Sequence, residues 1–438
     1  MIGSATAGDK YTLEEPVDDE RVYGVGLRLD VQGKVQTRGP ENKNVDLPLT
    51  GTAALSYRER RLLGIGTNSE GLRSIRDYEN GQVDIDVADE KTQVILPDAL
   101  KLIVAQGKPS GLEVYSLGGL LTAQEVELLS PPTDSLGLIA LLPTSPVEVG
   151  EEWTPPKWVG QFLARLEAST KNEVKCKLVS VEDEVAKITF HATVHGAVQG
   201  APTELSITGT IDFHLTQKCI TAADVQQTEK RTIGAVSVGL DVAARMRLLR
   251  KVAQVGGRIA TPAVLTAAGE EHPASALLLR FEAPGNLSML HTRQWHLFKQ
   301  TEQTSILRLL DDGLFIAQVN MSPIPSAKPG EHTTPEVFEG DIRQSLGERL
   351  KAITKSEVLP SKDRRYIYKV VAEGAVGDRQ LTWIYYLVAD PTGKQASMLF
   401  SLDRELVEKL GQRDQDLVES LRFGPPPVTA ILKAPPAR

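Results

Sequence analysis

Cysteine is nearly absent: the 438 residues include only Cys176 and Cys219. Two thiols are too few for a disulfide framework or for a closed zinc site of thiolates. Cys176 alternates with Val174 and Leu178, the setting of a buried structural thiol, and a bridge to Cys219 stays open if the chain is exported. Long apolar runs are lacking as well. None approaches the roughly 18 residues that a membrane-crossing helix needs, so no transmembrane segment is expected. There is no cationic excess either: the net charge is -8, whereas a nucleic-acid binder needs a concentrated basic face to displace counterions. Nucleic acid is therefore not an expected partner. Finally, no G-x-G-x-x-G, G-x-x-x-x-G-K-(S/T), G-x-S-x-G or H-E-x-x-H occurs, so dinucleotide, P-loop, serine-hydrolase and zincin chemistry have no signature here.

The remaining composition is that of a folded protein, with 41% apolar and 24% charged residues. The length fits two domains. Strict alternation of apolar and polar residues is the dominant pattern. Tyr23, Val25, Leu27, Leu29 and Val31 share one face, and Leu47, Leu49, Ala53, Leu55 and Tyr57 repeat it. Between residues 120 and 170 the period becomes helical over 122–129, 134–142 and 158–166. Alternation then resumes through Ile188, Phe190, Ala192 and Val194, through Leu205, Ile207, Ile211, Phe213 and Leu215, and through Val236, Val238, Leu240 and onward to Leu248. These are half-buried antiparallel strands of one large sheet, shaped as a half-barrel, with a single apolar face.

Residues 252–275 are rich in Ala, Gly, Thr and Pro and carry no sustained period, the pattern of a linker. An α+β pattern follows. Asp311-Asp312-Gly313 lies between alternating runs as a hairpin turn. Thr333, Pro335 and Glu336 open a helix whose buried side is Phe338, Ile342, Leu346 and Leu350. The 381–389 strand is apolar on both faces around Trp383, Tyr385 and Leu387, as a central strand would be. A last helix is expected over 403–421. The expected organisation is thus a flexible N-terminus (1–19), an antiparallel β-rich domain (20–251) with a helical insertion at 120–170, a linker (252–275), an α+β domain of antiparallel sheet flanked by helices (276–423), and a disordered Pro-rich tail (424–438).

Candidate ligands and catalysts fail on spacing. His191 and His195, four apart on a strand, lie roughly 13 Å from each other, whereas zinc holds its ligands at about 2 Å. If the next hairpin closes through 199–203, His214 falls opposite Lys187, farther from both. His291 and His296 flank Trp295 and point to opposite faces of an extended segment. The acidic pairs Asp311-Asp312, Glu151-Glu152 and Glu270-Glu271 sit in turns or linkers, where solvated carboxylates are usual. Basic runs at 58–61 and 245–251 read as solvated strand faces, the second with an option on anionic headgroups. No catalytic, cofactor or metal residue is assigned.

From 276 to 423 the order of elements resembles the PsbP-like fold. The resemblance is carried by the 306–319 hairpin, the 338–350 helix, Leu381-Thr382-Trp383-Ile384-Tyr385-Tyr386, the 395–400 strand and Leu417-Val418-Glu419-Ser420-Leu421-Arg422-Phe423. It implies a binding or assembly module and docking of a protein partner. The layout of residues 20–251 is similar to LolA-like lipoprotein-carrier domains, and Pro146-Val147-Glu148-Val149-Gly150-Glu151-Glu152-Trp153 resembles a V-x-V-G-(D/E)-x-W turn of secreted bacterial proteins. That likeness implies a curved sheet whose apolar face is filled by helices or by an acyl chain. Residues 1–10 hold no complete signal peptide, but Ala5-Thr6-Ala7 has the A-x-A form of a cleavage site. A secreted or periplasmic protein with a mis-called start codon is expected, with a cytoplasmic one as the alternative.

Three functions stay open: a non-catalytic exported or envelope binding protein holding a lipid-like ligand on Phe190, Val194, Ile211, Phe213, Val238 and Leu240; a structural or assembly protein of the envelope with a filled core; and an enzyme of unrecognised type. An apolar cavity of several hundred cubic ångströms favours the first, a filled core the second.

Overall fold

The computed structural model describes residues 8–16, 20–39, 43–64 and 68–425. The Ala5-Thr6-Ala7 motif and all but the first two residues of the Pro-rich tail lie outside them. The chain divides into two compact units after Leu277.

The strands of unit 1 are β1 (Lys10–Tyr11), β2 (Val22–Arg38), β3 (Asn44–Arg61), β4 (Arg73–Val87), β5 (Glu90–Ile95), β6 (Leu102–Lys108), β7 (Gly111–Ser116), β8 (Val147–Glu148), β9 (Glu152–Trp153), β10 (Ala168–Glu182), β11 (Val185–Val198), β12 (Ala201–His214), β13 (Cys219–Arg231) and β14 (Gly239–Ala253). Its helices are α1 (Ala123–Leu128), α2 (Ser135–Ile139), α3 (Trp158–Ala164) and α4 (Pro262–Gly269). One 12-stranded antiparallel sheet runs in the order β7-β6-β4-β3-β2-β14-β13-β12-β11-β10-β9, with β5 paired to the far half of β4. It is two meanders, one from each half of the unit, joined where β14 lies against β2 from Val22–Ala253 to Gln36–Gly239.

The period-2 pattern decides which side faces in. Val25, Leu27, Leu55, Tyr57, Ile188, Phe190, Ile211, Phe213, Met246 and Leu248 are buried, while their neighbours in sequence are exposed or half-buried. Three short helices lie on the inner side, and their caps explain their brevity. Thr122 and Glu125 form a capping box at the start of α1, Asp134 caps α2, and Arg165 in the left-handed region ends α3. Helix α3 touches β7 near one end of the strand path and β10 and β11 near the other. The sheet therefore curls around its own helices without closing into a barrel.

Several expectations are corrected. The β11–β12 turn uses only Gln199 and Gly200, both at positive φ, so Val198 pairs with Ala201, and His214 lies opposite Val185 while Asp212 faces Lys187. Strand β14 begins at Gly239, which leaves Val236 and Val238 in the preceding loop. Residues 252–275 are not a linker: β14 continues to Ala253, and Ile259, Val264, Ala268 and Ala276 pack with Val22, Ile75, Leu102, Val104, Tyr115 and Leu117. Nor is the whole 1–19 stretch loose. Strand β1 pairs with β8, and Leu13 and Glu15 are buried. Both cysteines are buried thiols outside any disulfide. They sit on β10 and β13 with two strands between, roughly 14 Å across the sheet at 4.8 Å per strand and farther still because they lie in different rows along it, far beyond bridging reach.

Unit 2 holds β15 (Leu279–Ala283), β16 (Leu287–His291), β17 (Trp295–Gln300), β18 (Ser305–Asp311), β19 (Leu314–Ile324), α5 (Pro335–Leu346), β20 (Leu350–Leu359), β21 (Tyr366–Val376), β22 (Arg379–Ala389), β23 (Gln395–Asp403), α6 (Val407–Leu410), α7 (Arg413–Ser420) and β24 (Arg422–Phe423). A seven-stranded antiparallel sheet has the order β17-β18-β19-β23-β22-β21-β20, and β15, β16 and β24 form a smaller one. Alternate residues of β22 serve two cores. Ile384, Tyr386 and Val388 join Leu410, Leu417 and Val418, whereas Trp383, Tyr385 and Leu387 pack under Phe338, Ile342 and Leu346 of α5. The N-cap of α5 is Thr334, one residue after the expected position, and Leu350 belongs to β20. Gly411, at φ 60, splits the expected last helix into α6 and α7.

Candidate functional site

The proposed apolar ligand residues do not stay together. Phe190, Val194, Ile211 and Phe213 are buried on the inner face, whereas Val238 is 43% exposed in a loop and Leu240 is half-buried. Within the buried group, the Phe190 ring lies over Gly209, its cross-strand partner: a Cβ built there would meet the ring at 2.6 Å. The glycine is a socket for the aromatic side chain, a familiar use of Gly in a strand interior. Where α3 meets β7, a gap lined by Gly111, Ser130, Thr133, Asp134, Phe162 and Arg165 has about 10 Å³, space for about one water.

The chemistry of the inner face lies elsewhere, at the end of the sheet where β3, β4 and β14 carry charge inward. Glu59 and Arg61 continue the buried row of Leu55 and Tyr57, and Arg250 continues that of Met246 and Leu248. Arg76, across from Glu59 on β4, grips the α2 cap residue Asp134 through Nη1 at 2.8 Å and Nη2 at 2.5 Å, and donates from Nε to Glu59 at 3.0 Å. Ser74 and Ser135 donate to the same Glu59 carboxylate at 3.1 and 2.9 Å. The third carboxylate comes from the N-terminal segment. Glu15 accepts from Arg250 Nη1 at 2.5 Å and from the Ile220 amide at 2.7 Å, and lies 3.9 Å from Arg61. The Arg250 guanidinium stacks 3.6 Å above the Tyr23 ring.

Three carboxylates thus face three guanidiniums, and none of these six side chains is more than 4% exposed. Burial opposes ionisation of Glu59 most strongly, yet Arg76, Arg250, the Ser135 hydroxyl and Arg61 together outweigh it and hold its carboxyl below the usual range. Burial pushes the Tyr78 hydroxyl up to about 12 against the opposing Arg76, and Tyr57 moves the same way. Donors on the chain itself take up Glu59 and Asp134, whereas among the described residues Glu15 Oε2, Arg61 Nε and Nη1, and Arg250 Nε and Nη2 are held by ion pairing or ring stacking without a hydrogen bond. What the arrangement does is fasten: it ties the α2 cap and the N-terminal segment to the sheet. A second fastener works on the other face. Arg73 donates to the carbonyls of Gly269 and Glu270 at the C-terminal end of α4, where a cation complements the helix dipole.

Unit 2 uses the same device. Asp414 of α7 accepts from Tyr386 Oη at 2.5 Å and Lys369 Nζ at 2.9 Å, while Arg365 donates to the carbonyls of Val418, Glu419 and Leu421 at the end of that helix. His291 and His296 fall on strands of different sheets; His291 is buried, donates from Nδ1 to the Thr292 carbonyl, and burial lowers its basicity. His191 is exposed, and His195 and His214 are half-buried. Among the described residues no group of three or more His, Cys, Asp or Glu could hold a metal ion.

The 245–251 run splits by side: Arg250 is inside, and Arg245, Arg247 and Lys251 are outside. On this outer face the side chains leave a trough of about 610 Å³, bordered by Gly24, Gly26, Arg58, Glu79, Thr221, Leu249, Lys251 and Ala253.

No family model matches the chain, and no curated protein matches it. Solved structures do. A Bacteroides thetaiotaomicron VPI-5482 protein is similar over 33% of this chain and 47% of its own length, at 13% identity and a TM-score of 0.24. Cyanobacterial PsbP (CyanoP) from Synechocystis sp. PCC 6803 is similar over 34% of this chain and 94% of its own, at 16% identity and a TM-score of 0.25. Lipovitellin, solved for its lipid–protein interactions, is similar over 56% of this chain and 27% of its own, at 9% identity and a TM-score of 0.29. This chain thus spans about half the length of the Bacteroides protein and about a quarter of lipovitellin.

Proposed function

We propose that the protein is a non-catalytic structural or assembly module that presents its outer surfaces to other molecules while its interior serves only to hold the fold. One observation carries this reading: the concave face of the large sheet, where a carrier would keep an apolar ligand, is occupied by the chain's own parts. Phe190, Val194, Ile211 and Phe213 are buried on the face against which α3 packs, and the charged end of that face is consumed by Glu15, Glu59 and Asp134. A sheet wrapped round its own helices, with internal ion pairs anchoring them, is a rigid body suited to display.

Native mass spectrometry of freshly purified protein, with organic extraction of whatever accompanies it, tests the reading. The expected result is that no adduct depends on Phe190 or Phe213. A stoichiometric hydrophobic adduct that disappears in Phe190→Ser or Phe213→Ser would overturn it in favour of a lipid carrier.

A further inference from the structure

The outer trough lies in the middle of the sheet, and its floor is glycine. Gly24 and Gly26 of β2 occupy the exposed side of a central strand, where glycine weakens a sheet. Neither has positive φ, and a Cβ at Gly26 would meet nothing within 4 Å, so the fold itself asks for glycine at neither position. Strand-interior glycine marks a bulge, a tight bend of the sheet or a close approach to the backbone, and β2 pairs with both neighbours without a register shift, so no bulge accounts for it.

The registers of β14 and β3 define the walls. Lys251 and Arg58 stand directly on either side of Gly24 in one row, and Leu249 and Ser56 stand on either side of Gly26 in the next. Leu249 is 68% exposed, unusual for a leucine in mid-sheet. Lys251 makes no ion pair with the described residues, and Arg58 has only a 3.6 Å pair with the exposed Glu79, the one acid bordering the trough among the described residues. Two cations flanking a bare backbone, with an apolar wall one row further on, match a ligand with an anionic head and an apolar body. The volume falls in the usual range of roughly 300–1,000 Å³ for small-molecule clefts.

We propose that this trough binds a single-chain anionic amphiphile of the fatty-acid class, with its carboxylate over Gly24 between Lys251 and Arg58 and its chain along Gly26 and Leu249. The site is on the opposite side of the sheet from the filled interior, so it stands whether or not the structural reading holds.

Isothermal titration of the full chain with dodecanoate, below its micelle concentration, tests the proposal, with acetate and 1-dodecanol as controls lacking the chain and the charge. Saturable dodecanoate binding is expected, with each control at least about tenfold weaker. Gly26→Leu fills the floor and Lys251→Glu reverses the charge. Each should weaken dodecanoate binding about tenfold or more, and Gly26→Leu should keep or raise the thermal midpoint, which separates loss of the site from loss of the fold. Absence of saturable binding up to about 1 mM, or binding unchanged in both variants, would overturn the proposal. Binding of an acidic peptide in place of dodecanoate would overturn it too, by making the trough a protein-docking site.

Discussion

Glu15 and Arg250 are separated by 235 positions in the chain and 2.5 Å in the structure, and each is buried almost completely. A buried ion pair of this kind adds little over a well-packed apolar pair, but removing one partner strands the other charge without water. Glu15→Ala should therefore lower unfolding stability by about 3 kcal/mol or more, read as a shift of the urea midpoint of unit 1. Converting both residues to methionine should cost less than the sum of the single changes.

The carboxyl of Glu59 sits below its ordinary value of 4.5 in the folded protein. A carboxylate with a depressed folded pKa stabilises fully above the unfolded value, and its contribution fades as pH falls through the folded one. Urea midpoints should hold from neutrality to about pH 5 and then fall. In Glu59→Gln the fall should be shallower, from a lower starting stability. An identical slope in the two proteins would remove Glu59 from the account.

Gly209→Ala places a methyl group against the Phe190 ring. Overpacking of this sort costs about 1–3 kcal/mol. Trimming the ring should return part of that loss, so Gly209→Ala combined with Phe190→Leu should be more stable than the summed single effects predict. Additive costs in thermal unfolding would mean that the ring does not occupy the glycine socket.

Cys176 is buried, and burial pushes its thiol up to about 12. Neither cysteine should react with a thiol reagent in the native protein at pH 8, and both should react once urea unfolds it. Two thiols per chain in the unfolded, unreduced protein would agree with two unbridged cysteines; none would mean a bridge.

Residues 252–275 should resist trypsin as well as the sheet does. Arg258 within them is held by Asp77, and Ile259 and Val264 are buried beside β4 and β6. Early cleavage after Arg258, ahead of any cut in the strands, would restore a linker.

Much of the fold is legible in the sequence because alternation is a local property. The rows at Tyr23–Val31 and Leu205–Leu215, the Asp312-Gly313 turn and the two-faced β22 can be read from neighbouring residues alone, and the structure has them all. The start of β4 and most of β6 escape such a reading because they are buried on both faces, which erases the period: Arg73, Ser74, Ile75 and Arg76 are all inside, as are Leu102, Ile103, Val104 and Ala105. The segment 258–277 resembles a linker because small residues pack well on a flat sheet yet give a weak periodic signal.

The charged cluster is hidden for a different reason. Glu59, Arg61 and Arg250 follow the buried rows in strict alternation, so position alone places them inside. Charge argues against position, and the partners that make their burial possible, Glu15 and Asp134, lie far away in sequence. The register of His214 turns on loop length: a Gln-Gly pair closes the hairpin in two residues, whereas a loop over 199–203 shifts every partner on β12.

The seam between β2 and β14 sets a timetable for synthesis. Strand β2 is among the first parts of the sheet to leave the ribosome, while β14 is the last, and every strand between them except β9 can pair with one made before it. One whole edge of the nascent first meander must therefore wait, with its amides and carbonyls open, until translation of the unit is nearly complete. An open edge is a template for association between chains. Whatever shields it in that interval, whether a chaperone or the speed of elongation, will decide how much of the protein reaches its folded form.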